Sequence, residues 1–89
     1  SSEVSSRQLG VYYSGAVTGG EDCFVAYNMH WLEHRFAIPA LPKGKEWYVA
    51  ATTDEGILEQ PRRLKKQRQI ELKARTIMIL AGRQKADEP

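Results

Sequence analysis

The chain has 89 residues, of which 42% are hydrophobic and 27% charged, close to the values of an ordinary globular domain. A chain of this length buries only about 60% of its unfolded surface, and it is too short for a (β/α)₈ barrel of about 250 residues. Its 13 basic and 11 acidic residues leave a net charge of +2, which is too even to demand an anionic partner.

The single cysteine excludes an intrachain disulfide. The fold therefore does not depend on an oxidising compartment, which slightly favours a cytoplasmic protein and leaves a secreted one open. No apolar run approaches the roughly 18 residues of a membrane span, and the chain has no signal-like start. We therefore expect no association with a membrane.

Residues 1–6 are polar and are predicted to be a linker or a frayed end. Residues 7–14 predict a first strand. Its two faces are Leu9, Val11 and Tyr13 on one side, with Gly10 and Tyr12 on the other. A glycine at position 10, inside a strand, indicates a bulge or a close approach of another group to the backbone. The glycines within 14–21 then predict a hairpin loop.

The stretch 22–52 contains both tryptophans, both phenylalanines, both histidines and the cysteine. Residues 22–29 are apolar on both faces and follow a glycine cluster, which predicts a buried central strand. Residues 33–38 and 46–52 alternate cleanly, and each predicts a further strand. The faces of the latter are Trp47, Val49 and Ala51 opposite Tyr48, Ala50 and Thr52.

Segment 27–36 also fits a short helix, since three of its apolar residues have helical spacing. Pro39 and Pro42 would cut such a helix short, so a strand, a turn and a second strand are predicted instead. Prolines and glycines predict further turns at 41–45 and 54–56.

The last third of the chain is less regular. Residues 57–69 contain few apolar side chains and a basic middle, which predicts a loop or an irregular edge strand passing over the rest of the fold. Residues 69–73 and 76–82 are rich in β-branched and apolar side chains, and they predict a final pair of strands around the turn 73–75. Residues 83–89 predict a polar tail.

An ordered set of motifs extends over 7–82: NMHW at 28–31, HRFAIP at 34–39, LPKG at 41–44, Trp47, and ARTIMIL at 74–80. This set resembles the β-sandwich domain that follows the catalytic barrel in the α-amylase superfamily (glycoside hydrolase family 13). It is closest to the pullulanase and glycogen-debranching (isoamylase-like) branch. Together with the strand pattern, the resemblance predicts an all-β, antiparallel two-sheet β-sandwich of six to eight strands.

The resemblance also implies a role. It is that of a non-catalytic C-terminal domain, at 7–82, which stabilises the barrel of an enzyme hydrolysing α-glucosidic bonds in starch, glycogen or pullulan. The isolated domain would then be inert.

Two hypotheses assign a binding surface consistent with that role. In the first, Leu9, Val11 and Tyr13, with neighbouring apolar surface, dock on the catalytic barrel of the parent chain, which predicts an exposed apolar patch. In the second, Trp31 and Tyr48 contact an α-glucan, because aromatic faces stack on the C–H groups of sugar rings. The second hypothesis predicts aromatic faces side by side at the spacing of sugar rings.

A third hypothesis concerns the basic run at 62–68. Its cations are Arg62, Arg63, Lys65, Lys66 and Arg68, which could neutralise phosphates. The run has no interleaved aromatic residues, and acidic residues flank it. We therefore expect no nucleic-acid partner.

The remaining chemically suggestive residues favour structural roles. His30 and His34 would share a face in a helix, but not on two strands joined by a turn, and no third metal ligand has suitable spacing. Cys23 is predicted to be an inert core thiol. The acidic pairs at 21–22 and 54–55 fall at turns and are predicted to be solvated, because a glycosidase needs two carboxyls facing each other about 5–9.5 Å apart. We predict no catalytic residue, metal or cofactor.

Overall fold

A computed structural model describes residues 8–85; the predicted linker at 1–6, Arg7 and residues 86–89 lie outside this range. The elements in chain order are β1 (Gln8–Tyr13), α1 (Gly15–Thr18), β2 (Asp22–Asn28), β3 (His34–Ala37), β4 (Lys45–Thr52), β5 (Gly56–Arg63), β6 (Gln69–Leu72) and β7 (Thr76–Gln84). Within the described range, no helix is long and apolar enough to cross a membrane.

The strands form two antiparallel sheets, as predicted. The larger sheet has five strands in the order β1-β2-β7-β4-β5, and the smaller pairs β3 with β6. The all-β, two-sheet sandwich is thereby confirmed, with seven strands in the described part of the chain. β2 lies inside the larger sheet, as its apolar sequence indicated.

The core lies between the two sheets. Its buried apolar residues are Phe24, Ala26, Ile38, Trp47, Val49, Ile70, Leu72 and Leu80. Trp47 is the largest of them and is only 1% exposed. Its indole N–H donates to the Pro39 carbonyl at 2.8 Å, so the polar atom of this buried ring is satisfied. The rings of Tyr12 and Phe24 both meet it edge-on, with centroids 6.1 Å away.

The glycine inside β1 marks a close approach, one of the two predicted alternatives. A Cβ atom at Gly10 would lie 2.6 Å from the Phe24 ring, closer than real carbon atoms come. The register of β1 with β2 is unbroken, so there is no bulge here. Gly10 therefore leaves room for the tip of the Phe24 ring beside the backbone of β1.

Asn28, at the end of β2, joins the two sheets and is fully buried. Its side-chain amide donates to the carbonyls of Leu32, Leu72 and Lys73 at 3.0, 2.9 and 3.1 Å. Its side-chain oxygen accepts from the backbone N–H of His30 at 3.0 Å. These bonds hold the turn after β2 against the end of β6.

The prediction that 69–73 and 76–82 pair with each other is wrong. β6 pairs with β3 in the smaller sheet, whereas β7 lies between β2 and β4 in the larger one. The turn between them, in which Arg75 has φ 58°, carries the chain from one sheet to the other. β7 also runs to Gln84, so its last two residues belong to a strand rather than to the predicted polar tail.

A bulge in β4 corrects the predicted faces of that strand. Val49 lies opposite Leu80 on β7, but Ala51 lies opposite Ile79, so Ala50 is an extra residue. Alternation is therefore inverted after Ala50: Thr52 is buried, and Ala51 faces away from the core.

The prediction that both residues of the acidic pair at 21–22 are solvated is wrong for Asp22. Asp22 is buried, and its carboxylate accepts from the backbone N–H of Gly15 at the start of α1. The hairpin loop between β1 and β2 thus contains one helical turn, for which Ser14 provides the N-cap by accepting from Ala16 N–H at 3.1 Å.

Candidate functional site

The larger sheet has a second face, which the smaller sheet does not cover. We call it the outer face. Strand alternation and register place on it Leu9, Val11 and Tyr13 from β1, Cys23, Val25 and Tyr27 from β2, Ile77, Ile79 and Ala81 from β7, Ala51 from β4 and Ile57 from β5. These side chains are apolar or aromatic, and several are exposed. The same register also places Tyr48, Glu46, Arg63 and Arg83 at one end of this face.

The side chains of the outer face form rows across the strands. One row runs from Leu9 through Tyr27 to Ile77. The next runs from Val11 through Val25, Ile79 and Ala51 to Ile57. Side chains directly opposite in neighbouring antiparallel strands are about 4.5–5.5 Å apart at Cβ, so each row is continuous. The outer face is one apolar surface and not a scatter of single residues.

The bulge at Ala50 extends this surface toward β5. Because it turns Ala51 outward, a shallow apolar depression of about 210 Å³ forms between β7, β4 and the start of β5. Ile57, which is 88% exposed, stands at its rim. Ile77 and Ile79 line its other side.

One end of the outer face is charged and ion-paired. Around Tyr48, Arg63 binds Glu46 through two hydrogen bonds of 2.8 Å, and Arg83 binds Glu21 at 3.0 Å. The hydrogen bonds from the Arg63 guanidinium hold the pKa of Glu46 below its usual range. An apolar centre beside a polar rim is the usual anatomy of a protein–protein interface.

Leu9, Val11 and Tyr13, predicted to dock on a barrel, are brought together on this face. Trp31 and Tyr48, predicted to contact glycan, are not brought close to each other. The Arg75 guanidinium lies 5.0 Å from the centroid of Trp31, and that of Arg83 lies 5.9 Å from Tyr48. These two arginines are eight residues apart, or about 26 Å along an extended strand.

The two histidines are close in space. The ring centroids of His30 and His34 are 4.3 Å apart, and the rings are tilted by 43°. In residues 8–85 no group of three or more His, Cys, Asp or Glu side chains is placed to hold a metal ion. Cys23 is half-buried on the outer face rather than in the core as predicted, and burial raises the pKa of its thiol.

The basic run is largely occupied by contacts within the domain. Arg62 binds Glu55 at 3.0 and 3.1 Å, Arg63 binds Glu46, and Arg68 donates to the Ile38 carbonyl at 3.3 Å. Lys65 and Lys66 are exposed. Two of the five cations are thus neutralised by carboxylates of the domain, which reduces the charge that the run could offer to phosphates.

No family model, curated protein or solved structure matches the chain. The outer face is therefore the feature from which a function has to be inferred. Sequence alternation identified the part that β1 contributes, but it missed the part from β7 and β5. A signal was present in the alternation of Ile77 and Ile79 with Thr76 and Met78, which puts isoleucine on the side of the strand away from the core.

Proposed function

We propose that this chain is a non-catalytic accessory domain that docks through its outer face on another domain of its parent polypeptide. We further propose that this neighbour is the catalytic barrel of an α-glucan-hydrolysing enzyme of the glycogen-debranching, pullulanase or α-amylase type. The observation that carries the proposal is the continuous apolar outer face.

An antiparallel sheet with one face on the core usually has a polar face toward water. Here both faces are apolar. A contiguous exposed apolar surface with a polar rim is typical of an interaction site. Covering it is favourable by about 25 cal/mol for each Å² of apolar area removed from water.

The charged residues support a structural role. Four carboxylates are bound to arginine, in the pairs Arg35–Glu71, Arg62–Glu55, Arg63–Glu46 and Arg83–Glu21. A general acid needs a carboxyl with a raised pKa opposite a second carboxylate. The pKa values of Glu46 and Glu55 are instead lowered, each mainly by hydrogen bonds from its arginine.

The identity of the neighbour rests on the motifs at 28–47 and 74–80, which resemble the domain that follows the barrel in that superfamily. The first test is to determine the coding sequence upstream of Ser1 in the parent gene. A (β/α)₈ barrel of about 250 residues is expected there. Any other upstream domain overturns the α-glucan assignment but leaves docking itself to be tested.

Docking is tested in the parent polypeptide with Val25→Lys and Ile79→Lys together. Both positions lie at the centre of the outer face, and two charges there oppose its burial. We expect a lower melting temperature of the neighbouring domain and faster loss of its activity on heating. The matched control is Glu33→Lys, in the exposed segment before β3 and outside the larger sheet. Equal melting of the double variant and the control would contradict docking through this face.

A glycan-binding role is a second candidate, because Trp31 is 73% exposed. The test is an amide NMR titration of the chain with a long maltooligosaccharide. Shifts around Trp31 or Tyr48 that disappear in Trp31→Ala would establish glycan binding. Unmoved resonances at millimolar sugar would leave docking as the function of the domain.

A further inference from the structure

The two edges of the larger sheet differ. At one edge, β1 has the sequence QLGVYY, with no charge and no proline. All six residues are in unbroken register with β2. Long, flat, uncharged edge strands readily pair with another strand, because their outward N–H and C=O groups form a ready template.

At the other edge, β5 has the features that prevent such pairing. It contains Pro61 and the charged residues Glu59, Arg62 and Arg63. Its register with β4 jumps from Val49↔Arg62 to Ala51↔Ile57, which bends the strand. Proline, charge and irregular register are the usual ways in which natural sheets block edge pairing.

The edges of the smaller sheet are less suited to pairing with another strand. β3 and β6 have four residues each, and the ion pair between Arg35 and Glu71, at 3.1 Å, lies across them. Short strands with charged side chains are poor templates. In the part of the chain that the structure describes, β1 is therefore the edge suited to strand addition.

We propose that β1 pairs with β1 of a second copy of this chain, antiparallel about a two-fold axis. With Val11 opposite its own copy, Leu9 lies opposite Tyr13 and Gly10 opposite Tyr12. This register keeps the apolar side chains of both copies on the same side, because strand alternation has period two. The two five-stranded sheets become one, and their outer faces become continuous.

Among the pairings open to two copies of this chain, the one between two β1 strands forms a closed dimer. Pairing of β1 with β5 of the next copy would repeat without limit and give a fibre, and the features of β5 oppose it. Pairing of β1 with itself uses the same surface on both copies and ends at two. It joins backbone groups at the edge and leaves the outer face uncovered, so it does not require the docking proposed above.

The test is a cross-linking comparison of three variants, each in a Cys23→Ser background. Val11→Cys places the thiol at the proposed two-fold axis, Val25→Cys at the centre of the outer face, and Ile57→Cys at the β5 edge. A short bis-maleimide is used, so that reaction does not require disulfide geometry. We expect Val11→Cys to give several-fold more covalent dimer than Ile57→Cys, although Ile57 is 88% exposed.

Two outcomes of this comparison overturn the proposal. Equal yields from Val11→Cys and Ile57→Cys would mean random collision. A higher yield from Val25→Cys would mean that the copies meet face to face.

Sedimentation of the unmodified 89-residue chain provides a second measurement. A single strand pair is a small interface, so we expect weak association, with the mass rising toward twice that of the monomer between about 10 µM and about 1 mM. Val11→Lys should abolish the rise, and Ile57→Lys should not. A chain that stays monomeric throughout overturns the proposal, even if a foreign extended peptide binds β1.

Discussion

The two faces of the larger sheet are built by the same strands and are both largely apolar, yet only the inner face is covered by another element. On the inner face, Trp47, Ala26 and Leu80 are at most 1% exposed, because the smaller sheet packs over them. On the outer face, Ile79 is 38% exposed. A strand with apolar residues on both sides is fully buried only if another element packs on each face of its sheet. In this domain the smaller sheet packs on one face.

The sharpest way to test this difference is to truncate neighbours on β4 that point to opposite faces. Trp47→Ala should lower the free energy of unfolding by about 3–5 kcal/mol, because it opens a large cavity in the core. Tyr48→Ala, on the outer side, should cost about 1 kcal/mol or less. Urea unfolding of both variants measures this, and similar losses would mean that the outer face is also a core.

The second prediction concerns the buried hydrogen bonds by which Asn28 joins the two sheets. In Asn28→Asp, a carboxylate oxygen replaces the amide that donates to the Leu72 and Lys73 carbonyls. Leaving these buried acceptors without a donor should cost about 2–3 kcal/mol at neutral pH. The loss should shrink in acid, where the carboxyl can donate again. Gln84→Glu, at the exposed end of β7, is the isosteric control. An equal loss there would rule out this account.

The third prediction concerns how tightly the inner face is packed beside Gly10, at the β1 edge of the sheet. In Gly10→Ala the new methyl meets the Phe24 ring at 2.6 Å, so the ring has to move, at a cost of about 1–3 kcal/mol. Gly20→Ala is the matched control, since a Cβ there meets nothing within 4 Å. Thermal unfolding compares the two. If Gly10→Ala were as stable as Gly20→Ala, the sheet edge would be loosely packed.

The smallest effect concerns the charged end of the outer face. The pKa of Glu46 is lowered from an ordinary value of 4.5 by hydrogen bonds from Arg63. A carboxyl whose pKa is lower when folded stabilises the fold above its unfolded pKa, and this contribution is lost as pH falls through the folded pKa. The urea midpoint should therefore fall less between neutral pH and pH below 4.5 in Glu46→Gln than in the unmodified chain. Glu59→Gln should behave like the unmodified chain.

Alternation along the sequence was sufficient for β1, β2 and most of β4, because in these strands each side chain is sorted by the face it packs on. It failed at Ala50. A bulge leaves the residues on either side looking regular, and only the register with β7 shows the extra residue. The outward position of Ala51 could not be foreseen for the same reason.

The pairing of strands with one another was the second feature that the sequence did not predict. The turn at 73–75 predicted a hairpin, because strands joined by a short turn usually pair. Here β6 and β7 belong to different sheets, and Asn28 secures the crossing by binding the Leu72 carbonyl. The burial of Asp22 likewise depends on α1, which is too short to leave a periodic pattern. Sequence therefore predicted the strands better than their partners.

The position of β7 has a consequence for synthesis of the chain. Of the five strands described in the larger sheet, the central one is the last to be made. It pairs residues as distant as Asp22 and Gly82. Until it leaves the ribosome, β1 and β2 can form only an isolated hairpin, which is marginally stable in water. The apolar side chains of both faces therefore stay without their sheet partners until β7 has been synthesised.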